Sequence, residues 1–171
     1  VGCDYVGLPG GGEQVRNPIG ASMALRRLPL EAVGGFSELV GRVGTLPVGC
    51  EETEISIRLA KADPSGRVLR ATGGTVHHLV PRDRQTVRYF VSRCYHEGRS
   101  KAVLSGLVGT ERGLASERTY ATRTLPLGVL RQLAAIGKGD VAGAARAACI
   151  VLGLLTTAFG YLSARRAGSV T

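Results

Sequence analysis

The sequence predicts an α/β domain followed by C-terminal helices. Short strand-like runs alternate with helix-like periods over roughly the first two thirds of the 171-residue chain. The 25 glycines require many turns and argue against an all-helical bundle. Beyond Pro126 the sequence changes to segments rich in Ala, Leu and Gly. We therefore divide the chain into a domain over residues 1–107, a linker over 108–125 and a helical segment over 126–171.

The predicted elements of the domain follow from the spacing of apolar residues. Ile55, Leu59 and Ala62 recur at i, i+4 and i+7, which predicts a helix that ends at the Asp63-Pro64 turn. Apolar runs without this period predict strands. In chain order we expect a strand at 3–8, a glycine-rich loop, a strand at 21–27, a short helix at 30–33, a loop at 40–49, a helix at 51–62, short strands at 68–71 and 75–80, and a long helix at 84–107.

The net charge of +9 narrows the classes of partner. A basic protein suits nucleic acid, an anionic membrane surface or a phosphorylated substrate. Most of the basic residues are arginine, whose planar fork favours phosphate contacts, although a GC-rich genome gives the same bias. Aromatic residues do not alternate with the basic ones as a base-stacking surface requires. We therefore expect a phosphorylated substrate or a membrane and no nucleic acid.

The four cysteines indicate neither zinc nor a disulfide framework. Cys3, Cys50, Cys94 and Cys149 are far apart and form no Cys-x-x-Cys or Cys-x-x-His spacing. Reduced thiols are typical of a cytoplasmic setting, which we expect here.

An apolar segment near the C-terminal end predicts contact with a membrane. Residues 147–162 carry no charge and are bounded by Arg146 on one side and by Arg165 and Arg166 on the other. As a helix these residues reach about 24 Å, less than the roughly 30 Å of a bilayer core. The segment spans only if Arg146 snorkels and residues 141–145 join the helix. We expect a helix embedded in or resting on the membrane, and the alternative is a buried helix of a soluble protein.

Three glutamates open the predicted helix at 51–62. Acidic residues in the first turn interact favourably with the helix dipole, which is sufficient to explain all three. Glu54 precedes Arg58 by four residues, so a surface ion pair explains it further. Glu52 has no cation one turn later and lies on the side of Ile55 and Leu59, which faces the core. A carboxylate at the edge of a buried face, beside a flexible loop, suits a general base.

Motifs around these glutamates resemble a known enzyme family. Gly20-Ala-Ser-Met-Ala-Leu-Arg-Arg, Glu31-Ala-Val-Gly-Gly-Phe and the stretch GCEETEISIRL from Gly49 occur in this order, followed by TVHHLVPRDR and RYFVSRCYHEGRSKA. Together they resemble the acceptor half of a family 2 glycosyltransferase, over about residues 17–105. The resemblance implies an incomplete GT-A-like (Rossmann-like) sheet with flanking helices, followed by the C-terminal helices. It also implies an enzyme that uses nucleotide sugars.

The resemblance assigns roles to individual residues. The second acid of the family's Glu-Asp motif is the catalytic base and matches Glu52, where this chain has Glu for the usual Asp; Glu51 matches the first acid. The base takes the proton of an acceptor hydroxyl as that oxygen attacks the anomeric carbon, and the configuration inverts. The resemblance places Gly20, Ser22 and Arg26 among the substrate-binding residues.

Further basic residues are assigned to the phosphates and the metal. Arg88 and Arg93 match a region near the donor diphosphate, although an ion pair between Arg93 and Glu97 explains Arg93 nearly as well, on a mostly solvated helix face. His78 matches a histidine that reaches a divalent metal, Mg²⁺ or Mn²⁺. Successive side chains of a strand point to opposite faces, so at most one of His77 and His78 enters the site, and a structural or surface histidine is the alternative for each.

The donor half of the family pattern is missing. The chain contains no Asp-x-Asp for the metal, and it opens at Val1 in a strand-like run without a signal peptide. We therefore expect part of a longer enzyme that acts at the cytoplasmic side of the cell membrane, on a lipid-linked or polysaccharide acceptor, and expect the isolated chain to be inactive. The alternative is a non-catalytic, basic, membrane-associated module that retains the fold.

Overall fold

The computed structural model describes residues 9–41, 48–109 and 120–168. Within these ranges the protein is helical. A 3-10 turn over Arg82–Arg84 precedes the third helix and a π-helical turn over Tyr120–Thr124 leads into the fourth. The α-helices are α1 (Arg27–Ala32), α2 (Glu51–Ala62), α3 (Val87–Val108), α4 (Leu125–Ile136) and α5 (Ala142–Arg166).

The predicted α/β fold with an incomplete GT-A-like sheet is wrong for the described residues, which contain no β-strand or sheet. Their extended segments form only isolated antiparallel bridges, between Gln14 and Leu69 and between Ile19 and Ser22. Residues 21–26 and 75–80 are extended or irregular and largely exposed, and no neighbouring segment pairs with them as a sheet requires. The strand predicted at 3–8 lies outside the described residues.

The helices α2 and α3 confirm the predictions from periodicity. α2 covers the predicted 51–62, and its end is fixed where the Asp63 carboxylate accepts hydrogen bonds from Ser65 N at 2.9 Å and Ser65 Oγ at 2.6 Å. α3 begins three residues later than predicted because Thr86 caps it, its Oγ1 accepting from Tyr89 N at 3.1 Å. The short helix predicted at 30–33 is α1, displaced toward the N-terminus.

The helices α3 and α5 run parallel in close contact. Phe90 and Cys94 of α3 lie beside Gly153, whereas Tyr95 lies further along α5 beside Gly160. A Cβ added to Gly98 would overlap Thr157 O, and one added to Gly160 would overlap Tyr95 O. Only glycine permits this approach of two backbones, so the contact between α3 and α5 depends on these two positions.

The helix α4 packs antiparallel to α5. Gly128 of α4 lies near Ile150, and Gly143 at the start of α5 lies against Gln132. α5 contains the predicted apolar segment 147–162 and is long and apolar enough to cross a membrane. Only 22% of its apolar window is buried, whereas the core helix of a soluble protein is mostly buried.

Candidate active site

The N-terminus of α2 presents the glutamates on a strained turn. Cys50 immediately precedes α2 and has a left-handed φ of 79°, the one positive φ among the described residues other than glycine. A side chain in this conformation costs roughly 1–2 kcal/mol relative to right-handed geometry. Strain of this kind is found disproportionately at functional sites, and here it sets the direction in which Glu51 and Glu52 leave the loop.

The carboxylate of Glu52 is half-buried and poorly hydrogen-bonded. Its Oε1 accepts a long contact of 3.4 Å from Gly20 N, the carboxylate also interacts with the backbone N–H of Glu52 itself, and its buried Oε2 has no hydrogen-bond partner. Burial raises the pKa of Glu52 above its ordinary value, and the negative charges of Glu51 and Glu97 raise it further against the lowering effect of nearby backbone N–H groups. A carboxylate with a raised pKa and a vacant lone pair is suited to accept a proton.

Glycines surround the two carboxylates closely. A Cβ added to Gly20 would lie 3.1 Å from Glu52 Oε1, and one added to Gly41 would lie 3.6 Å from Glu51 Cβ. The same construction at Gly49 places a Cβ 3.3 Å from the Arg93 guanidinium and 3.8 Å from Glu51 Oε2, which is buried without a hydrogen-bond partner. Arg93 and Glu51 therefore flank the same small space beside Gly49.

An ion-pair network on α3 borders this space. Glu97 bonds Arg93 at 2.9 Å and Lys101 at 3.2 Å, which confirms the predicted pairing of Arg93 with Glu97. The three side chains are only 17–38% exposed, so the prediction of a mostly solvated face is wrong for them. The Glu97 carboxylate also lies 3.9 Å from Cys50 Sγ, and Ser100 Oγ accepts a hydrogen bond from Gly49 N at 3.2 Å.

Sequence reasoning missed three members of this cluster: Cys50, Glu97 as a neighbour of Glu52, and Ser100. The spacing of four residues from Arg93 to Glu97 to Lys101 indicates pairing along α3 but carries no information on which element faces it. The available signal was the glycine before Cys50, because a residue without a side chain permits the close approach of another group, here the Arg93 guanidinium.

Glu54 belongs to a different environment from its neighbours. Its carboxylate holds Arg58 through two bonds, of 2.6 Å to Nε and 2.8 Å to Nη2, as predicted from their spacing. The prediction of a surface pair is wrong, however, because Glu54 is only 3% exposed. Arg58 also donates to Val33 O at 2.5 Å and Gly35 O at 2.7 Å, so this pair ties α2 to the turn after α1 and leaves Glu54 unavailable for chemistry.

The structure brings four of the predicted site residues together and leaves four apart. Glu51, Glu52, Gly20 and Arg93 surround the N-terminus of α2. The other four are Ser22, Arg26, Arg88 and His78.

These four residues lie at separate positions. Ser22 closes an exposed turn, its N donating to Ile19 O at 2.8 Å, and Arg26 is exposed immediately before α1. His78 is exposed on an irregular segment instead of the predicted strand. Arg88 borders an apolar groove between α3 and α5. The roles predicted for all eight residues stay predictions.

The arrangement does not fit a resident metal ion. Among the described residues no group of three or more His, Cys, Asp or Glu side chains is placed to hold one. Glu51 and Glu52 supply carboxylates, but Arg93 lies beside the space that Glu51 borders, where a cation would be opposed.

A distant similarity to a known protein supports a transferase relationship. No protein-family profile matches the chain, and no solved structure matches it. The chain is 31% identical over 104 residues to the glucosyl-dolichyl phosphate glucuronosyltransferase of Haloferax volcanii. That match covers 61% of this chain and 33% of the relative, so the chain spans about one third of the archaeal protein's length. The protein is thus distantly similar to a glycosyltransferase that acts on a lipid-linked sugar.

Proposed function

We propose that this chain supplies the acceptor-activating carboxylate of a glycosyltransferase that moves a sugar from a nucleotide-sugar donor to a hydroxyl acceptor. The observation that carries the proposal is Glu52, a half-buried carboxylate of raised pKa whose Oε2 has no hydrogen-bond partner. The similarity to a glucuronosyltransferase and the ordered motifs around Glu52 support the same reaction class.

In the proposed reaction Glu52 Oε2 accepts the proton of the acceptor hydroxyl. The acceptor oxygen forms a bond to the anomeric carbon while the bond from that carbon to the nucleoside diphosphate breaks, so the configuration inverts. Weak hydrogen bonding leaves Glu52 a stronger base than an ordinary surface carboxylate once it is ionised. Arg93, beside the same space, offsets negative charge that develops on the diphosphate.

The proposed acceptor is a sugar on a phosphorylated lipid or a growing polysaccharide, at the cytoplasmic side of the cell membrane. The name of the archaeal relative contains such a lipid-linked acceptor, glucosyl-dolichyl phosphate. A divalent metal, Mg²⁺ or Mn²⁺, belongs to the donor side of this proposal and is held by residues other than those described here, because the described residues offer no suitable group. The reaction steps at Glu52 do not depend on it.

Transfer assays with the full-length protein test the proposal. A panel of nucleotide sugars that includes an activated glucuronate is offered with a polyprenyl-phosphate-linked glucose, and product is separated by chromatography. Glu52→Gln keeps the size of the side chain but removes the base, so we expect transfer to fall by about 10²–10⁴-fold. Glu31→Gln, which alters an exposed carboxylate on α1, is the matched control and should keep full activity.

The identity of the base is tested by comparing adjacent carboxylates. Glu51→Gln should lower transfer less than Glu52→Gln, because Glu51 is proposed to shape the site without accepting the proton. Wild-type turnover in the Glu52→Gln protein would refute the assignment of the base. An absence of transfer with every donor, in a protein that still binds membranes, would instead favour the non-catalytic membrane-associated module.

A further inference from the structure

The helix α5 cannot separate from α3 without breaking a close contact. The α3 residues that touch it, from Phe90 to Gly98, lie beside Gly153 to Tyr161, the middle of the uncharged segment. Tyr95 OH lies 3.3 Å from Ser163 Oγ, which extends the contact towards the end of α5. Any position that α5 takes relative to a membrane is therefore shared by α3.

Charges on α3 oppose a transmembrane position of this pair. Arg93 and Glu97 lie within Phe90 to Gly98, the part of α3 that contacts the uncharged segment of α5, and the exposed Arg99 follows directly. If α5 crossed the bilayer, these side chains would lie at the depth of the hydrocarbon, where ionised groups are costly. The length of α5, about 37 Å, is thus sufficient for spanning but the packing is not compatible with it.

An apolar stripe nevertheless faces outward from α5. Val151, Leu155, Phe159 and Leu162 recur at i, i+4, i+8 and i+11, which places them on one side of the helix. They are 43%, 63%, 65% and 53% exposed, whereas Gly153 and Gly160 on the other side are buried against α3. Leucines exposed on α4 (Leu127, Leu130 and Leu133) enlarge the apolar surface. Leu130 and Val151 line one groove between α4 and α5, which connects the two sets of side chains. An exposed apolar patch of this kind marks an interaction surface.

The charge of the protein is concentrated in the same part of the chain. Residues 1–81 contain eight basic and eight acidic residues, whereas residues 82–171 contain 14 basic and five acidic residues. The entire net charge of +9 therefore belongs to the segment that carries the apolar surface. Arg88 borders the apolar groove between α3 and α5, and Arg165 and Arg166 are exposed at the end of α5. Apolar side chains bordered by arginines complement an anionic bilayer surface.

We propose that α4 and α5 form a docking surface for an anionic lipid bilayer, with α5 lying in the membrane interface and not crossing it. The surface consists of the apolar stripe of α5, the exposed leucines of α4 and the arginines beside them. The proposal goes beyond the glycosyltransferase function and does not depend on it, since a protein without transferase activity would dock in the same way.

Vesicle binding tests the surface. The protein is sedimented with vesicles of phosphatidylcholine alone and with vesicles that contain 30% phosphatidylglycerol, in low and high salt. We expect binding to the anionic vesicles to exceed binding to the neutral ones at least tenfold, and to weaken as salt screens the charges. The double substitution Leu155→Asp and Leu162→Asp should abolish the difference. Leu79→Asp, at an 87% exposed leucine outside the surface, is the matched control and should bind normally.

The position of α5 is tested by chemical modification of its two ends. Val141→Cys and Ala167→Cys variants are made in cells, and sealed membrane vesicles from those cells are treated with a membrane-impermeant maleimide; the unsubstituted protein supplies the background. Modification of both ends from the same side supports the interfacial position, and modification of only one end overturns it. Equal binding to neutral and anionic vesicles also overturns the proposal. So does a soluble dimer that Leu155→Asp and Leu162→Asp dissociate, because a second copy would then cover the surface.

Discussion

Replacing Arg58 by alanine is expected to destabilise the protein by about 3–5 kcal/mol, because a buried carboxylate loses the cation bonded to it. Glu54 is 3% exposed, and its two oxygens are bonded to Arg58 at 2.6 and 2.8 Å. The same substitution removes the hydrogen bonds from Arg58 to Val33 O and Gly35 O, worth roughly 0.5–1.5 kcal/mol each, whose loss is included in that range. An exposed pair with the same spacing would contribute only about 0.3–0.5 kcal/mol.

Urea unfolding followed by circular dichroism measures the difference. Arg27 and Glu31 form an ion pair of 2.7 Å at the same spacing on α1, but these side chains are 86% and 54% exposed, so Arg27→Ala is the matched control. The double substitution Glu54→Leu and Arg58→Met should recover most of the loss, since it leaves no unpaired buried charge. If Arg58→Ala costs no more than Arg27→Ala, the account of Glu54 as a buried ion-pair partner is wrong.

Three further outcomes are expected in the same unfolding assay. Burial raises the pKa of Glu52 above 4.5, so the protonated carboxyl contributes fully to stability below about pH 4.5, and this contribution is lost as the pH rises through the raised pKa. The stability of Glu52→Gln relative to wild type should therefore increase from pH 4 to pH 8. A difference that stays constant with pH would contradict this. Gly98→Ala should lower the unfolding free energy through overlap with Thr157 O, whereas Gly128→Ala, whose Cβ would make an ordinary contact with Ile150, should raise it by about 0.5–1 kcal/mol; effects of the same sign would argue against the close helix contact. Cys50→Gly should be more stable than Cys50→Ala by about 1 kcal/mol, the reverse of the usual order, because only glycine adopts a φ of 79° without strain; equal stabilities would mean that the turn relaxes.

Local patterns predicted the helices correctly and also predicted a sheet that the described residues do not contain. The period of Ile55, Leu59 and Ala62 and the Pro64 that follows define α2 almost without reference to the rest of the chain. A strand differs because its backbone groups need a neighbouring strand, so an apolar run such as residues 75–80 does not form one by itself. The predicted sheet therefore failed where the described residues supplied no partner.

The candidate site shows the same limit at the level of single side chains. Helical geometry placed Glu52 and Glu54 on different sides of α2 and predicted the bond from Glu54 to Arg58. It placed that pair on the surface because the turn that covers it, at Val33 and Gly35, is distant in sequence. The approach of Glu97 to Cys50 joins residues 47 positions apart and leaves no local pattern. The catalytic role of Glu52 stays a prediction until transfer is measured.

The parallel contact of α3 and α5 also orders events during synthesis. A chain leaves the ribosome from its N-terminus, so α3 is complete at Val108 before α4 and then α5 are made. At that stage Arg93 and Glu97, on one face of α3, can already lie beside the start of α2, whereas the face that contains Gly98 has no partner until α5 is made. A nascent chain halted after α3 would therefore hold the carboxylate cluster while the helices with the exposed apolar side chains are still missing, so the cluster would form before the apolar surface.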